Sequence, residues 1–428
     1  MVQVIGMDIF EDVALPQHVP SRASTCPVIR KKPASNGVRR TIAKKTACAA
    51  MPRWYEPDTA DASVTATNVT PPSLGSIISY GSMCSGLGVE HWAAKRAHPD
   101  RAARHVFTCE LNAVANKWLA ANVPSLERYT DVGSDDFHQG APGCTIATAG
   151  FPCQPFSNQG KGEGVFDPAG RGLVIAHILN YLRSRQPRIA ILENVRGLVS
   201  CHQKTFLWIL SELRAIVDNV TGKQCYSVHW RILDSRKVGK VAQHRERVYF
   251  VLIKRCGRSH VPFTWPSETS PVPLELCYDD GWQSNCISSY DQYPMDSLLP
   301  RTSKTARKNV KAALAALAVR AKKDSRRPES YACIVDKAAS NTSGSFGYSP
   351  CLTAARGSCF AFMNLQTGTP LTISELFRLQ GFDDTEMASM KLDCVSKREL
   401  GHLLGNAFTK TVMQRLINLA IRAAESTV

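Results

Sequence analysis

The sequence predicts an α/β fold built on a doubly wound, mostly parallel sheet, and three observations carry that reading. Short β-prone runs alternate with helical stretches from Ser76 onward, the order that lays strands side by side with helices on both faces. The first strand runs into a small-residue turn, Gly81-Ser82-Met83-Cys84-Ser85-Gly86-Leu87-Gly88, which lets backbone approach a ligand at a switch point of such a sheet. Residues able to do chemistry then recur at strand ends, namely Glu110, Asp131, Cys153 and Glu193.

Residues 1–73 precede this pattern. They mix Pro, Ser, Thr and Ala with basic clusters at Arg30-Lys31-Lys32, Arg39-Arg40 and Lys44-Lys45 and hold no sustained period. A mostly disordered tail is expected there. Its clusters read as a nuclear-import signal, a nucleic-acid arm or simply solvated charge, and an organelle transit peptide is opposed by the early acids Asp8, Glu11 and Asp12.

The first strand is expected over 77–80, with a helix through Glu90, Trp92 and Ala93 to about 97. A second strand over 106–109 ends in Glu110, roughly 20 residues past the turn, where a carboxylate can take both ribose hydroxyls of a nucleoside. A helix over 113–121 leads on to Asp131, whose carboxylate can accept from an adenine amino group. Each acid alone reads as a helix cap or surface charge; at successive strand ends they outline a nucleoside cleft.

The strand over 144–149 delivers Gly150-Phe151-Pro152-Cys153-Gln154-Pro155-Phe156-Ser157. On such a tight loop a thiolate is accessible and can be activated, so Cys153 is a candidate nucleophile. The Gly-rich stretch 160–172 can close over a substrate. A helix over 173–185 and a strand over 188–192 end at Glu193-Asn194-Val195. A buried Glu193 that keeps its proton can donate to a ring nitrogen; the plain alternative is an acid paired to a cation. After a helix over 205–217, strands at 227–233 and 247–253 flank Gln243-His244-Arg245-Glu246-Arg247. In an extended chain its alternating arginines share a face, so one can meet a substrate while the other holds the loop.

Composition narrows the class. The 428 residues carry 52 Lys and Arg against 36 Asp and Glu, a formal charge of +16. Such an excess favours a polyanionic partner without separating DNA, RNA and membrane surface. No apolar run approaches the ~18 residues of a bilayer span. The 15 cysteines are scattered outside CxxC pairs, so neither a metal site nor a disulfide scaffold is expected, and a reducing compartment follows.

Taken together, the ordered segments resemble the cytosine-5 DNA methyltransferase family. They are Cys84-Ser85-Gly86-Leu87-Gly88, Glu110, Asp131, the Cys153 loop, Glu193-Asn194-Val195, Gln243-x-Arg245-x-Arg247, Arg378-Leu379-Gln380-Gly381-Phe382 and Gly405-Asn406-Ala407. The resemblance covers about 76–425 apart from most of 256–348. It implies a Rossmann-like class I methyltransferase domain with a mixed, mostly parallel sheet, plus a smaller target-recognition domain. The divisions would be a tail at 1–73, a catalytic and cofactor-binding domain at 74–255, a target-recognition region at 256–348 and the C-terminal part of the catalytic domain at 349–428. S-adenosylmethionine is the implied cofactor and double-stranded DNA the implied partner, with a nuclear location if the source is eukaryotic.

By the same resemblance Cys153 attacks carbon 6 of a flipped cytosine, Glu193 engages ring nitrogen 3 and Arg245 meets the base carbonyl. Gln154, Ser157 and Arg247 are further substrate contacts. Cys84, Ser85, Gly86, Leu87, Gly88, Glu110, Asp131 and Asn406 fall to the cofactor. The chain departs from the family's pattern at Cys84, usually phenylalanine, at Val89, often glycine, and at Ala242, often proline. A helix over 305–323 with ten bases between Arg301 and Arg327 suits phosphate contact, a solvated helix being the plain reading. Relatives of this fold that methylate tRNA carry Cys-Phe-Thr where this chain has Cys359-Phe360-Ala361, which favours DNA. Intact Cys153, Glu193 and Arg245 speak against a relative that binds nucleic acid without turnover.

Overall fold

Seven strands form the central sheet of the computed structural model, which describes residues 74–152, 174–255, 262–301, 303–342 and 344–425. They are β1 (Ile77–Met83), β2 (Ala102–Cys109), β3 (Glu127–Tyr129), β4 (Ile146–Gly150), β5 (Ile189–Val195), β6 (Tyr226–Asp234) and β7 (Glu246–Lys254). Their order is β3-β2-β1-β4-β5-β7-β6. The first five pair in parallel, and β7 lies antiparallel between β5 and β6. This is the α/β sheet that the alternating pattern predicts, and its mixed, mostly parallel order is the one the family resemblance implies.

Both faces of the sheet are covered, which is why its strands read as nearly continuous apolar runs. Successive residues take opposite faces: Ile189, Ile191, Tyr249 and Val251 join one core, while Ala190, Leu192, Phe250 and Leu252 join the other. The first core is closed by α1 (Val89–Ala97), α2 (Ala113–Asn122) and later helices, the second by α3 (Val174–Arg185) and α4 (Gln203–Arg214).

A second, antiparallel sheet has the order β10-β8-β9, from β8 (Cys333–Asp336), β9 (Ser345–Phe346) and β10 (Phe362–Asn364). Helix α5 (Lys304–Asp324) lays Ala306, Val310, Ala313, Leu317 and Ala321 into its separate core. The chain then returns through α6 (Ala354–Ser358), α7 (Ile373–Leu379), α8 (Lys397–Asn406) and α9 (Lys410–Glu425). Among the described residues no helix is long and apolar enough to cross a membrane.

Four boundaries differ from expectation by three residues or more, the first being β2, which starts at Ala102 rather than 106 because it pairs with β1 from Ile77 onward. β1 continues to Met83, absorbing the start of the small-residue turn, with a register shift between Tyr80 and Gly81. A side chain at Gly81 would stand 2.1 Å from the Phe107 ring. β5 runs on through Glu193 to Val195 because β7 pairs with it there, Glu193 with Tyr249 and Val195 with Arg247. The helix expected over 205–217 stops at Arg214, since Val217 turns away to bridge Gln224.

Candidate active site

The turn after β1 is held by β2 and α2. Ser85 is buried, its hydroxyl donating to the Cys109 carbonyl at 3.2 Å and accepting from the Cys109 N–H at 3.1 Å. The Leu87 carbonyl accepts from the Trp118 indole at 3.0 Å. Gly88 sits at φ 69, where a Cβ would come within 2.6 Å of Val123, so both its conformation and its surroundings call for glycine. Ser85, Leu87 and Gly88 therefore build the turn, while Cys84 and Gly86 border the cleft beside it. Cys84 takes a left-handed φ of 54. Burial, and then the carboxylates of Glu110 and Asp131, push its thiol well up.

Glu110 closes β2 with both oxygens engaged. Oε2 accepts from the Gly86 N–H and Oε1 from the Asn112 N–H, each at 2.8 Å. The Asn112 side chain in turn caps α2, accepting from Val114 and Ala115 at 3.0 Å. Asp131 lies exposed beyond β3, its Oδ1 accepting from the Gly133 N–H at 2.8 Å, and does not border this cleft. Asn406 is exposed at the end of α8, 3.3 Å from His402.

At the other end, register brings Gly150 of β4 beside Glu193 of β5. Phe151 and Pro152 follow into the cleft wall. Cys153, Gln154 and Ser157 lie outside the described residues, as does the stretch 160–172. Glu193 is buried and its Oε1 stands 3.1 Å from Arg247 Nε. Burial raises its carboxyl above the ordinary range, opposed by the charges of Arg247 and Arg245.

The two arginines share one partner, Cys351 Sγ, at 3.5 Å from Arg245 and 3.7 Å from Arg247, and otherwise differ. Arg245 is 2% exposed. Its Nη1 donates to the Leu352 carbonyl and its Nη2 to the Ala407 carbonyl, both at 2.7 Å, with the Gly405 carbonyl at 3.4 and 3.5 Å. Glycines make that convergence possible. A Cβ on Gly357 would lie 1.9 Å from the Gly401 carbonyl oxygen, and one on Gly405 would lie 2.2 Å from the Thr353 carbonyl carbon. Gln243 adds to the brace, donating to the Leu379 carbonyl and accepting from the Leu352 N–H, each at 2.8 Å. Arg245, expected at the base carbonyl, thus grips the returning chain, whereas Arg247 faces Glu193.

One cleft therefore gathers Cys84, Gly86 and Glu110 at one end and Gly150, Phe151, Pro152, Glu193, Arg245 and Arg247 at the other, with His402 and Asn406 on its wall. Asn112 and His402 were not singled out from the sequence; an asparagine just before a helical run was the available signal for the first. Among the described residues no group of His, Cys, Asp or Glu is placed to hold a metal ion.

A sheet of this order with its last paired strand reversed, carrying an acid-lined cleft at its carboxyl edge, defines an α/β methyltransferase fold. A methyltransferase encoded within an Escherichia coli prophage shares it (18% identity, 81% of this chain and 99% of that one, TM-score 0.52). So does the Entamoeba histolytica methyltransferase EhMeth (14% identity, 81% and 98%, TM-score 0.51). The profile of the C-5 cytosine-specific DNA methylases matches residues 78–421, and the chain belongs to that family. Among its relatives are the type II methyltransferases M.BsuFI of Bacillus subtilis, 30% identical over 44% of this chain and 42% of the relative, and M.HaeII of Haemophilus aegyptius, 26% identical over 75% and 86%. The match thus spans about two fifths of the first relative's length and most of the second's.

Proposed function

We propose that this chain methylates carbon 5 of cytosine in double-stranded DNA, acting on a base turned out of the helix. The observation that carries the reading is the Glu193–Arg247 pair, set by strand register beside Gly150 and Pro152 in the same cleft as Glu110. Cys153 is the residue after Pro152. Its thiolate would add to carbon 6, making carbon 5 electron-rich enough to take a methyl group, and loss of the carbon-5 proton and then of the thiolate would restore the ring.

Glu193, with its carboxyl raised by burial, would hold a proton against ring nitrogen 3. Arg247, at its side, would meet the base carbonyl, because Arg245 has its terminal nitrogens on backbone carbonyls. For the methyl donor the residues fit an adenosyl group. The Glu110 carboxylate is fixed at both oxygens for ribose hydroxyls, and a Cβ on Gly86 would meet nothing nearer than the Cys84 carbonyl oxygen at 4.0 Å. Asn406, on the cleft wall, would serve the amino-acid end, and Asp131, outside that wall but close enough to Cys84 to act on its thiol, the adenine. S-adenosylmethionine, when bound there, supplies an electrophilic methyl group on a sulfonium.

DNA contact finds support on α5, where Lys304, Lys308, Lys311 and Lys322 recur at helical spacing opposite the buried face. Region 256–348 is accordingly proposed to read the target. The test is trapping on duplex DNA containing 5-fluorocytosine with S-adenosylmethionine. A denaturant-resistant adduct formed by the wild type and abolished in Cys153→Ala is expected. An adduct on tRNA alone, or on neither, would overturn the reading.

A further inference from the structure

We infer that His244, oriented by Asp234, is a protonation-dependent contact to a phosphodiester of the nucleic-acid substrate, next to the cleft and outside it. This rests on the cytosine-methylating reading above. In Gln243-His244-Arg245-Glu246-Arg247 the odd-numbered side chains turn toward the core and cleft, so His244 and Glu246 face the other way. They border a separate groove with Arg196, Arg231, Asp234, Lys237, Pro266 and Glu268, in which Arg196 pairs with Glu246 and Lys237 with Glu268. That groove opens where β5 and β6 end and β7 begins, the edge that also carries the cleft. Val195 borders one and Arg196 the other. A nucleotide turned into the cleft must carry its flanking phosphates over this edge.

The imidazole is built in rather than loose. Its Nδ1 is 2.8 Å from Asp234 Oδ2, and Asp234 Oδ1 is itself held by the N–H groups of Arg236 and Arg245 at 3.1 Å. The His244 N–H donates to the Ser349 carbonyl at 2.9 Å. The ring edge packs on Tyr348, whose face carries Arg236. With Nδ1 taken by the carboxylate, Nε2 is the nitrogen left for a ligand on a side chain that is 49% exposed. Asp234, Glu246 and Cys351 surround the ring with acidic groups and raise its pKa, the Asp234 hydrogen bond first. Positive charge on His244 therefore persists to higher pH than on a free imidazole and is lost as pH rises further. A singly charged phosphate oxygen matches one N–H donor beside these cations.

The experiment measures affinity for a short labelled DNA duplex across a salt series at about pH 6 and about pH 9. Wild type is expected to bind several-fold more weakly at the higher pH, and the slope of log affinity against log salt should shrink by about 0.9, one phosphate contact. His244→Gln should show the weaker affinity and shallower slope at both values. His244→Lys should keep the tighter affinity at both. Thermal melting checks that each variant is folded. A His244→Gln protein that keeps the wild-type pH response and slope overturns the inference while leaving methylation intact. Absence of both DNA binding and the 5-fluorocytosine adduct would sink the methyltransferase reading and this contact with it.

Discussion

The two ends of the cleft are assembled by different means. At the cofactor end Glu110 is fixed by N–H groups 24 and 2 residues away, and the second of these belongs to the cap of the next helix. At the base end Arg245 reaches carbonyls 107, 160 and 162 residues further on. The Glu110 anchor is local, although Asn406 on the cleft wall comes from α8. The base end depends on the chain's return through α6 and α8, so its geometry and the fold's stability are coupled.

The sharpest test of that contrast is the base end itself. Glu193→Gln should lower the methylation rate by about 10²- to 10⁴-fold, the usual weight of a positioned acid, while cofactor affinity by calorimetry stays within about twofold; parallel losses in both would merge the two ends. Arg245→Leu comes next. It leaves buried carbonyls at Leu352, Gly405 and Ala407 without their donor, at about 1–3 kcal/mol each when unsatisfied, and should cost about 3 kcal/mol or more of unfolding free energy in a denaturant titration. Arg247→Ala should instead cost mainly activity, and equal destabilisation by the two would erase their separation.

At the cofactor end Glu110→Gln replaces one acceptor oxygen by a donor facing an N–H group. Cofactor affinity should drop about tenfold, with the midpoint of unfolding nearly unmoved. A last effect, confined to stability, lies just behind that end, at the start of α1. Glu90 and His105 approach to 3.5 Å, yet burial pushes Glu90 up to about 7 and His105 down to about 3, so both favour their neutral forms. An acid raised in the folded state stabilises below the unfolded value, and that contribution is lost as pH rises. Glu90→Gln should therefore match wild type near pH 4.5 and become progressively more stable than it toward about pH 7. A constant gap in melting temperature would refute this.

The same contrast explains what could be read from the chain. Strand–helix alternation and the acids near strand ends were legible because periodicity and turn chemistry are short-range, and Glu110 at the end of β2 is a case in point. The separation of Arg245 from Arg247 was not legible. Both lie on one face of an extended strand, and only the carbonyls of Leu352, Gly405 and Ala407 distinguish them. Likewise β5 continues through Glu193 because β7 pairs with it, a partner that arrives some fifty residues later. No local signal marks His244, whose ring is oriented by Asp234 of β6, ten residues earlier.

The grip of Arg245 on Ala407 also sets a clock for the protein's birth. The two residues are 162 positions apart, so at ribosomal speeds of about 5–20 residues per second roughly 8–32 seconds separate their synthesis. Through that interval Arg245, just ahead of β7, has emerged with no carbonyls to receive its guanidinium, and one face of the sheet awaits α9. The nascent chain can lay down the Glu110 anchor early, but the base end closes only when the last helices leave the exit tunnel.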